Sequence, residues 1–229
     1  MRDIRLGTKT CTFACCIIAL SYAAAAETIS CGHMGVSVTF QQSEHADLVC
    51  EAAELADTLF RQCNVSPAIH PVRIDIVDEL QSGCVAIYHC GEYSIQIVSP
   101  PLMQDRRETD GAFIDLGIDE YFKSVVVHEL THAANDDLPC PFEGCVATDE
   151  HMAYAMQIMS LDPKDQSRFE ERSGIDRRVS SDELSPIMLF MAPDLFAQKA
   201  WAHLSQRDNA CDYIADLNEG ILRFDLGRF

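Results

Sequence analysis

Val125-Val126-Val127-His128-Glu129-Leu130-Thr131-His132-Ala133-Ala134-Asn135-Asp136 is the stretch that decides how this chain of 229 residues is read. The apolar pattern around it predicts a helix over Ile118 to Asn135, with the three valines and the alanine pair forming its buried side. Residues four apart on a helix stand one above the other, so His128 and His132 present two imidazoles to one point in space. Two nitrogens so placed can bind a single Zn2+ at about 2.0–2.1 Å without bending the backbone. Glu129 is rotated from His128 by roughly 100°, and its carboxylate can reach a water on the metal without being a ligand.

A catalytic zinc takes three protein ligands and leaves one position for water, so a third ligand is expected from another element. The next helix candidate, Thr148 to Leu161, opens Thr148-Asp149-Glu150-His151, with Thr148 as its expected N-cap. Asp149, Glu150 and His151 all have ligand chemistry, and Glu143 lies in the loop before them. Successive helical side chains diverge by about 100°, so only one of the adjacent three can point at a fixed metal. Glu150 shares its stripe with Tyr154 and Gln157, polar groups suited to a wet cleft, whereas His151 shares one with Ala155. Asp149 sits near the cap, where backbone amides would satisfy its carboxylate. Glu150 is the preferred third ligand, and Tyr154 is the nearest candidate donor to an oxyanion. His151 and His203 are weaker candidates for that donor, and His203 reads as a surface residue.

His128-Glu129-Leu130-Thr131-His132-Ala133, with Asp136 four residues past the second histidine, resembles the active-site helix of the thermolysin-like peptidases. The later helical Glu150 is similar to the third ligand of the wider gluzincin group of zinc metallopeptidases. The resemblance is confined to residues 128–157. It implies zinc bound by His128, His132 and Glu150, with Glu129 as general base in the hydrolysis of peptide bonds by a zinc-activated water. Thermolysin-like enzymes carry an aspartate four residues past the glutamate ligand to orient a zinc histidine; here Tyr154 holds that place.

Outward from this segment the pattern is α+β. Val36 to Gln41 reads as a strand and Ser43 to Gln62 as an amphipathic helix. Strands are expected at Val72 to Val77, Val85 to His89 and Tyr93 to Val98, the last two joined as a hairpin across Cys90-Gly91-Glu92. Tyr93 to Val98 is the expected free edge for an extended peptide. Helices follow at Asp182 to Leu204, interrupted at Pro186 and Pro193, and at Cys211 to Leu222. The prediction is a small mixed sheet with an N-terminal helix, then a mainly helical half carrying the zinc motif.

Arg2, Arg5 and Lys9 precede an apolar run from Cys11 to Ala26 with an Ala24-Ala25-Ala26 cleavage site, the pattern of an export signal. The expected organisation is a signal peptide over 1–26 and one metallopeptidase domain over 27–229, released to the periplasm or medium without stable membrane insertion. Eight cysteines then remain, which in an oxidising compartment predicts disulfides. Cys140 and Cys145 are the first expected pair, and Cys84 with Cys90 the second. A formal charge of −19 disfavours nucleic acid and leaves peptide or protein substrates as partners. The rival is a non-catalytic zinc protein, either with a Cys2His2 site built from His128, His132, Cys140 and Cys145 or with an inactive peptidase-like cleft.

Overall fold

The computed structural model of the chain describes residues 26–225, apart from 82, 139, 142 and 143. The export-signal pattern and Glu143 therefore lie outside the described residues. No described helix is long and apolar enough to cross a membrane.

The fold is α+β. Its strands are β1 (Glu27–Ser30), β2 (Ser37–Phe40), β3 (Arg73–Val77), β4 (Ala86–His89) and β5 (Ser94–Val98), in the spatial order β1-β2-β3-β5-β4. Pairing is antiparallel at both ends of the sheet and parallel between β2, β3 and β5, so the sheet is mixed. The helices are α1 (Ser43–Gln62), α2 (Pro100–Arg106), α3 (Ile118–Asn135), α4 (Val146–Met159), α5 (Pro163–Ser173), α6 (Pro186–Met191), α7 (Pro193–Ser205) and α8 (Ala210–Asn218).

The order of strands corrects one expectation. The strand from Ser94 to Val98 is interior, hydrogen-bonded to β3 on one side and β4 on the other, so the edges are β1 and β4, and β4 is the one on the side of the hairpin. Ile95, Ile97 and Val98 are fully buried, as suits a strand covered on both faces as well as paired on both edges. Cys84 and Cys90, expected as a pair, flank β4 at opposite ends and are both free thiols. An extended strand between two cysteines holds them too far apart to bond.

Buried Val49, Ala52, Ala56 and Leu59 form the inner stripe of α1, which packs on β2 and α3. The small alanines let α3 approach closely, and Phe122, Val126 and Leu130 of α3 are buried in the same core. Helix α3 also packs against α4 and β4, so the central helix of the molecule is the one carrying the histidine pair.

Helix α4 begins at Val146, earlier than expected, and Thr148 is not its cap. The cap comes from the far end of the chain: Ala147 and Thr148 backbone N–H groups donate to the Asp225 carboxylate at 2.9 Å, and the Thr148 hydroxyl donates to it at 2.7 Å. A carboxylate on these amides also meets the positive end of the helix dipole.

Disulfides join Cys31 to Cys50, Cys63 to Cys211 and Cys140 to Cys145. The bond from Cys63 to Cys211 closes a loop with sequence separation 148 and ties the end of α1 to α8. Such a loop is worth about 4–5 kcal/mol of unfolded-state entropy. Replacing both cysteines by alanine is therefore expected to lower the unfolding free energy by several kcal/mol, read as a shift in denaturant midpoint. An unchanged midpoint would show that this crosslink does not limit stability.

Candidate metal site

Helices α3 and α4 bring three ligand groups together. The ligand atoms of His128, His132 and Glu150 all lie within 4.8 Å of one another, the one such group of three among the described residues. The two Nε2 atoms are 3.1 Å apart, and Glu150 places one carboxylate oxygen 3.5 Å from His128 Nε2 and the other 3.8 Å from His132 Nε2. Ligand atoms around a tetrahedral zinc with bonds near 2.0–2.2 Å are separated by about 3.3 Å. The residues present fit a metal ion of that size.

The outer nitrogens fix what the inner ones present. Ser124 donates its hydroxyl to the Tyr121 carbonyl at 2.8 Å, which leaves its oxygen to accept from the Gln157 amide at 3.2 Å. Gln157 is thereby turned so that its Oε1 faces His128 Nδ1 at 3.0 Å and accepts from it. On the other imidazole, His132 Nδ1 donates to Asp149 at 2.7 Å, and Asn135 donates to the second Asp149 oxygen at 2.7 Å. With both Nδ1 atoms committed as donors, each imidazole in its neutral form turns an Nε2 lone pair into the same space.

Electrostatics favour positive charge at that point. Burial alone would lower the pKa of His132, but Asp149, Glu150 and Glu129 outweigh it and push the imidazole up to about 10. For Glu150, burial opposes ionisation, and the facing imidazoles of His128 and His132 overcome it and hold the carboxyl below the usual range. Burial pushes the Glu129 carboxyl up, while the same histidines and a hydrogen bond from the Tyr88 backbone pull the other way. A proton acceptor with a raised pKa is better matched to work near neutrality.

These groups line a cavity of about 490 Å³. Its walls include Val85, Ala86, Ile87 and Tyr88 from the β4 region, Glu129 from α3 and Tyr154 from α4. Tyr88 is pinned to the end of α3, its hydroxyl donating to Asp136 at 3.0 Å, and Gly91 N–H donates to the same carboxylate at 2.7 Å. The Tyr154 ring meets His128 edge-on at 4.6 Å, and burial raises its hydroxyl pKa well above 10, so it stays a donor.

Every residue expected in the site, His128, Glu129, His132, Glu150 and Tyr154, lines this one cavity. Asp149 is a correction: its carboxylate orients His132 and does not cap the helix. His151 and His203 lie elsewhere, buried against each other and Phe224 at centroid distances of 4.5–5.4 Å. The surface reading of His203 thus fails; burial, with Arg207 and Arg178 nearby, lowers its pKa to about 4. Sequence reasoning missed the supporting roles of Asp149, Gln157, Asn135 and Ser124. The signal was faint but present, since Gln157 stands two turns past Glu150 on one helix face.

Groups that orient metal-binding histidines typically contribute 10–100-fold in metal affinity. Asp149→Ala and Gln157→Ala are each expected to weaken metal binding within that range while leaving the far-ultraviolet circular dichroism unchanged. Competition against a chromophoric chelator measures it, and parent-like affinity in both variants would remove these residues from the site.

No curated protein and no solved structure matches the chain. Residues 36–227, which include strands β2 to β5, the histidine pair and Glu150, match the family of unknown function DUF6639, and the chain belongs to that family.

Proposed function

We propose that the protein is an exported zinc-dependent metallopeptidase. The observation that carries this reading is the convergence of His128, His132 and Glu150 in an open cavity that also holds the Glu129 carboxylate. A structural zinc site is closed by four protein ligands, whereas a catalytic one keeps a position open. The bond between Cys140 and Cys145 supports the same choice, because it withholds the two thiolates that a Cys2His2 site would use. The disulfides and the basic, apolar N-terminal pattern support export.

Bound zinc would supply Lewis acidity, polarising a substrate carbonyl and making a water acidic near neutral pH. The chain supplies the rest. The free edge of β4 offers backbone groups along the cavity, to which an extended peptide adds as another strand. Glu129 accepts a proton from the attacking water and delivers it to the departing amine. Tyr154, protonated and beside His128, donates to the oxygen on which negative charge develops.

Protein comprising residues 27–229, purified without chelators, is expected to hold about one zinc per chain and to hydrolyse peptides in a mixed library. Chelation abolishes that turnover and added zinc restores it. Glu129→Gln keeps the metal and loses about 10²–10⁴-fold in turnover. Glu150→Ala loses metal affinity by orders of magnitude. Absence of stoichiometric metal, or near-parent turnover in Glu129→Gln, would overturn the reading.

A further inference from the structure

We infer that the cavity contains a subsite for a lysine or arginine side chain, closed by Asp194, and that the substrates are cationic peptides. This rests on the peptidase reading for its role but not for its chemistry. Asp194 stands in the first turn of α7 and lines the metal cavity with Phe113, Tyr121 and Tyr154. The same four residues also line an adjoining hollow of about 760 Å³, whose other walls include Arg106, Arg107, Glu108 and Asp110, so the space beside the histidine pair extends far enough for a long side chain.

One Asp194 oxygen is anchored, accepting from Ala112 N–H at 2.9 Å. The backbone approaches closely there, since a Cβ on Gly111 would lie 3.2 Å from that oxygen. The carboxylate is thus aimed by its scaffold. Among the described residues no cation pairs with it. The nearby arginines are committed elsewhere. Arg107 donates to the carbonyls of Phe113 and Leu116, Arg106 to that of Cys84, and Arg172 to Gly111 and Asp115. No lysine or arginine lines the metal cavity.

The other cavity carboxylates, Glu129, Asp149 and Glu150, face the histidine pair, and a divalent ion there would offset their charge. Of the carboxylates shared by the cavity and the hollow, Asp194 alone is left for a ligand, with Glu108 and Asp110 farther into the hollow's lining. An acidic side chain would be repelled by it and by the chain's −19 formal charge. An apolar one would strip water from the carboxylate without pairing it. A lysine or arginine lays its methylene stem along the aromatic rings and brings its charge to the carboxylate.

Zinc-loaded Glu129→Gln protein, which binds without turning over, is titrated with twin peptides that differ only in arginine against citrulline, its neutral isostere. The arginine twin is expected to bind about tenfold tighter, as for a charge-assisted hydrogen bond in a partly buried site, with the advantage shrinking as salt rises. Asp194→Asn, which keeps an acceptor for Ala112, abolishes the preference, and Asp194→Lys turns it toward a glutamate twin. Equal binding of the twins, or a preference that survives Asp194→Asn, overturns the inference. The two readings fail separately: a parent protein that cleaves no library peptide but binds the arginine twin preferentially upholds the subsite and sinks the peptidase.

Discussion

Two imidazole nitrogens aimed at one point repel unless something positive lies between them, and the tertiary structure is arranged around holding Nε2 of His128 and His132 in that relation, 3.1 Å apart. Neither could stay there if its outer nitrogen were free to turn. One ring is fixed by the chain from the Tyr121 carbonyl through Ser124 and Gln157, and the other by Asp149, itself held by Asn135. Asn135 in turn accepts from Asn218 at 3.4 Å, which links the site to α8. Each supporting group is a short polar side chain on a packed helix, so the positions are set by helix packing and not by loop conformation.

This requirement explains why the C-terminal segment reaches α4. Glu150 must approach α3 from a second helix whose N-terminus would otherwise leave buried amides unpaired, and Asp225 satisfies them from the far end of the described chain. The loop from α3 to α4 is closed by the Cys140 to Cys145 bond, and α8 is tied to α1 by Cys63 and Cys211. A lost contact at the C-terminal segment would therefore reach the ligand set through the start of α4.

The open side of the site is set by β4 and by charge. Of the sheet's two edge strands, β1 and β4, it is β4 that lies beside the histidine helix, and Asp136 at that helix's end clamps Tyr88 and Gly91 onto it. The cavity walls along this edge carry Glu129, Asp149, Glu150 and Asp194 and no lysine or arginine. The Tyr154 ring meets His128 edge-on and, like Asp194, lines both the cavity and the adjoining hollow.

Local physics made much of this legible in the sequence. The 3.6-residue period placed α1 and α3 at the observed bounds, and prolines 186 and 193 open α6 and α7 as their fixed φ and missing N–H require. The i,i+4 histidines and the stripe of Glu150, Tyr154 and Gln157 are properties of single helices, and so were readable before any packing was known. What a single helix cannot show is which long-range partner each polar group finds. Asp149 near a helix start reads as a cap until a distant histidine claims it and a distant Asp225 takes the cap instead. The identity of the edge strand, the burial of His203 and the joining of Asp194 to the metal cavity likewise depend on segments far apart in sequence, and only the packing of sheet, α3, α4 and α7 decides them.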